Sequence, residues 1–230
     1  MSRKAKSHQS FANERSADIP AYFSHSRDEM IPFVPASAET ILDVGCGAGA
    51  FGGNLRRAIG CRIIGIELNE EAALEAKLHL DQVYCQSAND VDFTALGRFD
   101  VIVFNDVLEH LQDPWEVLCR AKAALNPDGR IVASIPNVRF FPVVRDLIMK
   151  ADWEYRDFGV LDKTHLRFFT KKSTEKLFEQ SGLTVDLIKG IGWNQLPLIV
   201  RAINRFSGGA FEDMYYMQHA VVAKLTSASG

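Results

Sequence analysis

The stretch T-I-L-D-V-G-C-G-A-G-A-F-G-G-N, residues 40–54, decides the fold of this 230-residue chain. It begins with an apolar run that contains one acid, Asp43, and it then breaks into three alternate glycines, Gly45, Gly47 and Gly49. A segment able to form a helix follows directly. An apolar strand, a glycine turn and a helix begin a βαβ unit, and a turn of glycines brings its backbone close to a ligand because no Cβ is in the way.

The next apolar run, 62–66, ends in an acid, Glu67. Glu67 follows the third glycine at about the separation expected of a nucleotide-binding βαβ unit. An acid at the carboxyl end of the second strand can accept hydrogen bonds from both hydroxyls of a ribose. The glycine turn and Glu67 together predict a nucleoside site.

The identity of that nucleoside depends on Asp43. Residues 47–52 fit G-x-G-x-x-G, the pattern of dinucleotide cofactors. A carboxylate at the mouth of the turn would repel a pyrophosphate, however, and would attract a sulfonium or an ammonium group. The stretch D-V-G-C-G-A-G, residues 43–49, closely resembles the first motif of class I S-adenosylmethionine (SAM) methyltransferases. This resemblance implies SAM as the cofactor and S-adenosylhomocysteine as its product, with a nicotinamide or flavin cofactor as the alternative.

Two further blocks resemble the same family in the same order. N-D-V-L-E-H-L at 105–111 follows an apolar run and is similar to the fourth motif, where the chain passes the methionine end of SAM. L-N-P-D-G at 125–129 resembles the family's L-x-P-x-G before the fifth strand. The resemblance is to the ubiquinone-pathway and sugar-pathway branch. It implies a single α/β domain with a doubly wound, seven-stranded Rossmann-like sheet of order 3-2-1-4-5-7-6, strand 7 being antiparallel.

Positions that match the family motifs are the expected cofactor contacts. By resemblance, Arg27 pairs with the SAM carboxylate through a charge-assisted bond, and Glu67 binds the ribose. Ser87 stands where the family usually carries an acid for the adenine amino group, and Asn89 or Asp90 are substitutes for that role. The predicted cofactor residues are Arg27, Asp43, Gly45, Gly47, Gly49, Glu67, Ser87, Ala88 and Asn105.

Two histidines are the predicted catalytic residues. Methyl transfer is an in-line displacement, so the protein chiefly positions the nucleophile and the methyl group. A hydroxyl acceptor gains from a general base, and histidine is the usual base near neutral pH. His110 follows the fourth strand, and His165 lies in a loop before a late helix.

A divalent metal ion is the alternative at the same place. Asp106, Glu109 and His110 are spaced i, i+3, i+4, which would bring all three to one face of a helical turn. With His165 they would form a site able to acidify a vicinal diol or a catechol. Similar acid-x-x-Glu-His arrangements occur in ubiquinone-pathway O-methyltransferases and small-RNA 2′-O-methyltransferases. We favour the metal-free base, because no feature independent of the resemblance requires an ion.

Composition indicates one soluble, cytoplasmic domain. With 47% hydrophobic residues the chain can form a core of its own, and its net charge of −3 predicts no general attraction for nucleic acid. Four cysteines without a C-x-x-C pair predict neither a zinc site nor a disulfide frame. No secretory signal or membrane-spanning run is evident. We expect a flexible segment at 1–20 and a methyltransferase domain at 21–226.

The domain carries a predicted insertion at 191–216, between strands 6 and 7, which is too long for a hairpin turn. Its apolar residues, together with Arg201 and Arg205, predict an amphipathic helix within 194–211. Such a helix is a surface helix, a substrate lid or a peripheral membrane contact.

The predicted function is methyl transfer from SAM to a small-molecule acceptor, most simply at oxygen. A non-catalytic SAM-binding partner protein and a nicotinamide-dependent oxidoreductase are the alternatives. The predicted walls of the acceptor pocket suit ring compounds and are Trp153, Phe158, Phe168 and Trp193.

Overall fold

The computed structural model describes residues 26–226. The predicted flexible segment, 1–20, lies outside the described residues. Within them, no helix combines the length and the apolar character that a membrane span requires.

Seven strands form one sheet in the order β3-β2-β1-β4-β5-β7-β6. Strands β1 to β5 run parallel to one another, whereas β7 is antiparallel to both β5 and β6. The predicted doubly wound sheet, its strand order and its antiparallel seventh strand are therefore confirmed. The strands are β1 Thr40–Val44, β2 Arg62–Glu67, β3 Gln82–Cys85, β4 Phe99–Asn105, β5 Leu125–Pro136, β6 Leu183–Trp193 and β7 Tyr216–Leu225.

Within residues 26–226, six α-helices connect or flank the strands. They are α1 Ala50–Ile59, α2 Glu70–Ala76, α3 Pro114–Lys122, α4 Phe141–Lys150, α5 Lys171–Gln180 and α6 Leu198–Phe206. Short 3-10 helices lie at Asp28–Phe33, Thr94–Leu96, Leu108–His110 and Glu212–Tyr215. Helix α6 and the last of these 3-10 helices occupy the predicted insertion, which begins after Trp193 because β6 extends that far.

Side-chain caps fix where three of the helices begin. The Asn69 side chain accepts from Ala72 N at α2, and Asp113 accepts from Glu116 N at α3. At α5 the Thr170 side chain forms a capping box. Each cap satisfies a backbone N–H that has no partner inside its helix.

The core lies on both faces of the sheet. In β4, Ile102 and Phe104 join one buried cluster, and Val101 and Val103 join the other. A strand covered on both sides is apolar at nearly every position, as the sequence of β4 is. The apolar residues of β4 occupy the middle of the sheet. The polar residues of the cavity described below follow the carboxyl ends of the parallel strands.

Phe178 and Phe206 provide a matched test of this core. Phe178 on α5 is fully buried, whereas Phe206 on α6 is 89% exposed. We expect Phe178→Ala to lower the free energy of unfolding by about 3–5 kcal/mol, through lost burial and the cavity it leaves. Phe206→Ala should change it by less than about 0.5 kcal/mol. Urea unfolding followed by circular dichroism measures both, and equal effects of the two variants would contradict this packing.

Candidate active site

A cavity of about 710 Å³ opens at the carboxyl ends of the parallel strands. Eight of the nine predicted cofactor residues line it, and the exception is Gly49. Gly49 instead lets α1 and α2 approach, because a Cβ there would lie 3.0 Å from the Ala76 Cα. The residues that line the cavity are Arg27, Asp43, Gly45, Gly47, Glu67, Ser87, Ala88 and Asn105.

The glycine turn takes backbone angles that favour glycine. Gly45, Gly47 and Gly49 have φ values of 73°, 53° and 82°. A Cβ on Gly45 would also come within 2.5 Å of Val107 Cγ2. The turn is fastened to the neighbouring strand β2, since Gly45 N donates to the Ile66 carbonyl oxygen over 2.8 Å.

Glu67 holds this turn as well as facing the cavity. Its Oε2 accepts from Gly47 N at 2.9 Å, and its Oε1 accepts from Asn69 N at 2.8 Å. A carboxylate has about four lone-pair sites, so each oxygen retains capacity to accept from a ligand hydroxyl. The sequence indicated a ribose acceptor at Glu67, but it gave no sign that the same side chain ties the glycine turn to the start of α2.

Asp43 is a buried acid beside a second acid. It is 2% exposed, and its Oδ2 has no hydrogen-bond partner among the described residues. Burial, followed by the charge of Glu67, raises the pKa of Asp43 to about 7. A cation in the cavity would favour the ionised form of Asp43. The side chain of Asn105, at the end of β4, also lacks a partner among these residues, so the cavity wall presents unsatisfied polar groups to a ligand.

Arg27 forms an ion pair with Asp106. Its Nη1 lies 3.1 Å from Asp106 Oδ2, and its Nη2 donates to Ser134 Oγ and Gln218 Oε1, both at 2.8 Å. Gln218 Nε2 in turn donates to Asp106 Oδ1 at 2.7 Å. Arg27 therefore stands at the edge of the cavity in a fixed position, where a carboxylate ligand would share it with Asp106.

The predicted helical turn from Asp106 to His110 is wrong. A 3-10 helix covers only Leu108–His110. Asp106 precedes it with a φ of 55°, and its carboxylate is turned toward Arg27. The carboxylate of Asp106 is thus paired with Arg27, and the cluster of possible ligand atoms contains Glu109 and His110 but not Asp106.

Glu109, His110 and His165 do form a cluster. Each offers one possible ligand atom, and these three atoms lie within 4.8 Å of one another. Glu109 is fully buried with no hydrogen-bond partner for either carboxylate oxygen among residues 26–226. Its Oε1 lies 3.9 Å from His165 Nε2, and the two imidazole rings meet edge-on with centroids 4.7 Å apart. The cluster can bind either a proton or a divalent cation.

His165 is oriented by the backbone of its own loop. Its Nδ1 lies 3.1 Å from the Val160 carbonyl oxygen, which can only accept, so Nδ1 carries the proton of the neutral ring. The lone pair of Nε2 then faces Glu109. Burial, followed by the neighbouring His110, lowers the pKa of His165 below its usual value. Burial, followed by Asp106, raises the pKa of Glu109 well above its usual value.

Of the predicted pocket walls, only Phe158 lines the cavity. Trp153 packs instead on Phe168, with ring centroids 5.3 Å apart, and Trp193 stacks on Tyr215 at 6.4 Å. The prediction for these three aromatic residues is wrong: the loop before α5 lines the cavity with its middle and not with Trp153 or Phe168, and Trp193 lies at the end of β6 outside the lining. The cavity is closed on that side by Gly159, Val160, Asp162, His165 and Met217.

The family model and the relatives that match this chain are all described as methyltransferases. A family model described as a methyltransferase domain matches residues 9–188. The ubiquinone biosynthesis O-methyltransferase of Aromatoleum aromaticum is 26% identical over 190 residues, covering 80% of this chain and 78% of that protein. The protein of the same name from Hydrogenovibrio crunogenus is 31% identical over 169 residues, covering 71% of this chain and 68% of that protein.

Solved structures share the fold. The N-terminal domain of EvdMO1 with bound SAH superposes with a TM-score of 0.62 at 16% identity, over 97% of this chain and 100% of that one. A SAM-dependent methyltransferase from Archaeoglobus fulgidus gives a TM-score of 0.60 at 18% identity, over 95% of this chain and 100% of that one. The fold described above is thus shared with solved structures over nearly their whole length.

Replacing Asp43 by asparagine tests the buried charge. The pKa of Asp43 is about 7 in the folded chain against an ordinary value of 3.8, so ionisation destabilises the native state as the pH rises through that window. The Asp43→Asn variant lacks this titration. Relative to wild type, its free energy of unfolding should rise by about 1–4 kcal/mol as the pH is raised from roughly 4 to 8. Urea titrations across that range, without ligand, measure the difference.

Asp100→Asn is the matched control. Although burial acts to raise it, hydrogen bonds from Asn126 and from the backbone of Thr40 and Glu39 lower the pKa of Asp100. Ionised Asp100 therefore adds stability above about pH 4, and its replacement should lower the stability at neutral pH. If Asp43→Asn and wild type lose stability in parallel between pH 4 and pH 8, Asp43 is not the buried acid described here.

Proposed function

The chain belongs to the class I S-adenosylmethionine-dependent methyltransferase family, and on that premise we propose that it methylates a hydroxyl group of a small molecule. The observation that carries the choice of oxygen is the cluster of Glu109, His110 and His165 at the cavity. A hydroxyl must lose its proton during transfer, and this cluster offers a positioned acceptor for that proton. Relatives that are 26–31% identical are named O-methyltransferases, which supports the same choice.

The cavity fits SAM on this chain's own features. When bound, SAM supplies an electrophilic methyl group on a positively charged sulfur. We propose that Asp43 stabilises this positive charge by electrostatic attraction. The glycine turn would let the backbone approach the methionine moiety closely. Glu67 would accept from the ribose hydroxyls, and Arg27 would share its guanidinium with the ligand carboxylate. Ser87 and Ala88, which line the cavity beyond β3, would flank the adenine.

An oxidoreductase is the weaker candidate. The Asp43 carboxylate, whose Oδ2 has no partner among the described residues, lies next to Glu67, and the two acids disfavour the pyrophosphate that a dinucleotide would bring there. A non-catalytic SAM-binding protein would need the same cofactor residues, but it would have no use for a buried acid clustered with two histidines. The polar cluster therefore favours an enzyme.

His165 is the proposed general base. Because its Nδ1 proton is directed to the Val160 carbonyl oxygen, Nε2 can take the acceptor's proton without a change of tautomer. The lowered pKa of His165 keeps the ring neutral and ready to accept near neutral pH. Glu109 Oε1 lies 3.9 Å from Nε2, so an imidazolium formed there would favour the ionised form of Glu109 against the burial that raises its pKa.

The unpartnered carboxylate of Glu109 supports a second version of this mechanism. Glu109, His110 and His165 supply the mixed oxygen and nitrogen ligands that divalent cations accept. A cation held there would lower the pKa of an acceptor hydroxyl and would orient a diol or a catechol. The acceptor's proton would then leave more readily, and His165 would serve as a ligand and not as the base.

A transfer assay separates the two versions. With a panel of phenols and catechols, formation of S-adenosylhomocysteine reports transfer, and calorimetry reports SAM binding. If His165 is the base, His165→Ala should lower kcat by about 10²–10⁴ with SAM affinity unchanged, and a chelator should have no effect. If a cation acts there, the chelator should abolish transfer, and Mg²⁺ or Mn²⁺ should restore it.

His79→Ala is the matched control for these histidine variants. His79 lies outside the cavity beside Glu75, and its side chain is 44% exposed, so its loss should leave transfer unchanged. An enzyme that transfers methyl groups at the wild-type rate after chelation, His110→Ala and His165→Ala alike would defeat both versions. Transfer would then depend on proximity to an acceptor that is already nucleophilic.

A further inference from the structure

Helix α6 exposes most of its apolar side chains, and the one residue that it buries is polar. Leu198, Ile199 and Phe206 are 80%, 70% and 89% exposed, and Ile203 is 48% exposed. The one buried residue of this nine-residue helix is Asn204. A helix packed on a globular core shows the opposite arrangement, with its apolar stripe inward.

The helical period explains the arrangement. At about 100° per residue, the four exposed apolar residues fall within one stripe, and Asn204 falls on the opposite side. Asn204 is fastened to the following segment, because its Oδ1 accepts from Phe211 N at 2.9 Å and its Nδ2 donates to Glu212 at 3.2 Å. The polar anchor thus fixes the helix with its apolar stripe directed away from the protein.

A second exposed apolar group lies on helix α4. Helix α4 has no buried residue, and its last turn exposes Leu147, Ile148 and Met149 by 46%, 71% and 78%. The start of α4 is tied to the end of the α6 region, since Arg139 Nη2 donates to the Ala210 carbonyl oxygen at 3.0 Å. Two helices, one after the carboxyl end of β5 and one before the amino end of β7, therefore present apolar side chains outside the core.

The charged residues of α6 itself are all basic. Arg201 and Arg205 are the charged residues of the segment 193–211, which contains no acid, although the whole chain has a net charge of −3. The acids Glu212 and Asp213 follow the segment, and Asp146 of α4 is paired with Arg145 and Lys150. Arg201 and Arg205 lie along one edge of the apolar stripe of α6. An apolar stripe bordered by arginines is the pattern of a helix that lies in the surface of an anionic membrane.

We propose that the exposed face of α6, with the last turn of α4, docks on an anionic lipid bilayer. A bilayer accepts apolar side chains from separate elements without a complementary partner surface, and its phosphate headgroups would pair with Arg201 and Arg205. This inference is independent of the acceptor proposed above, because docking needs neither SAM nor transfer.

A second copy of the chain fits this face less well. Helix α6 is about 14 Å long, so one side of it falls far short of the roughly 800 Å² that each partner of a stable dimer buries. Pairing α6 with itself about a two-fold axis would also gather the arginines of both copies at one interface. Charge and area both favour the bilayer.

Co-sedimentation of the full chain with vesicles tests the proposal. Wild type should sediment with vesicles of phosphatidylglycerol and phosphatidylcholine at low salt, and less so at high salt or with phosphatidylcholine alone. The triple variant Leu198→Ser, Ile199→Ser, Phe206→Ser should lower the partition coefficient by more than about tenfold. Arg201→Gln and Arg205→Gln should each lower it about fivefold.

Leu74→Ser with Leu78→Ser is the matched control. These leucines are 62% and 70% exposed at α2 and the turn after it, so their replacement removes similar apolar surface and should leave vesicle binding unchanged. Circular dichroism verifies that every variant is folded. The proposal is overturned if wild type stays in the supernatant at low salt, or if the triple variant binds as wild type does. It is also overturned if the triple variant dissociates a dimer that never binds vesicles.

Discussion

Two neighbouring buried carboxylates, Asp43 and Glu67, are the constraint on which the site depends. Glu67 uses both oxygens to hold Gly47 and Asn69, and so it fixes the glycine turn against β2 and the start of α2. Asp43 lies beside it with little exposure and a raised pKa. Burying two like charges together is costly unless a cation or a proton compensates them. The cavity is therefore built for a positively charged ligand, and its shape is set by the same acid that would hold the ligand's ribose.

The rest of the site is arranged around a second set of buried polar groups. Arg27 and Asp106 satisfy each other at one edge of the cavity. Among the described residues the carboxylate oxygens of Glu109 have no hydrogen-bond partner, and Glu109 lies beside His110 and His165. Asp106 is thus paired with the guanidinium of Arg27, whereas Glu109 can still bind a proton or a cation. This division of roles separates the proposed cofactor groups from the groups proposed to act on the acceptor.

The sequence predicted those features that depend on local patterns. The turn requires positive φ angles at Gly45 and Gly47, and glycine adopts these angles readily. The turn and its cavity could therefore be located from residues 43–49 alone. The spacing from Asp106 to His110 was misleading, because it assumes a helical turn, and the conformation of Asp106 is set by Arg27, 79 positions earlier in the chain. Periodicity likewise predicted an amphipathic α6. Which face is buried depends on the contacts of Asn204 with residues after the helix, and no helical pattern records them.

Calorimetric titration of the wild-type chain with SAM and with NAD tests the central claim most directly. The account predicts that SAM binds at one site and that NAD binds far more weakly or not at all. Glu67→Gln should weaken SAM binding by about 1–3 kcal/mol, because the amide cannot accept through both of its terminal atoms. Tighter binding of NAD than of SAM, or an unchanged SAM affinity in Glu67→Gln, would contradict it.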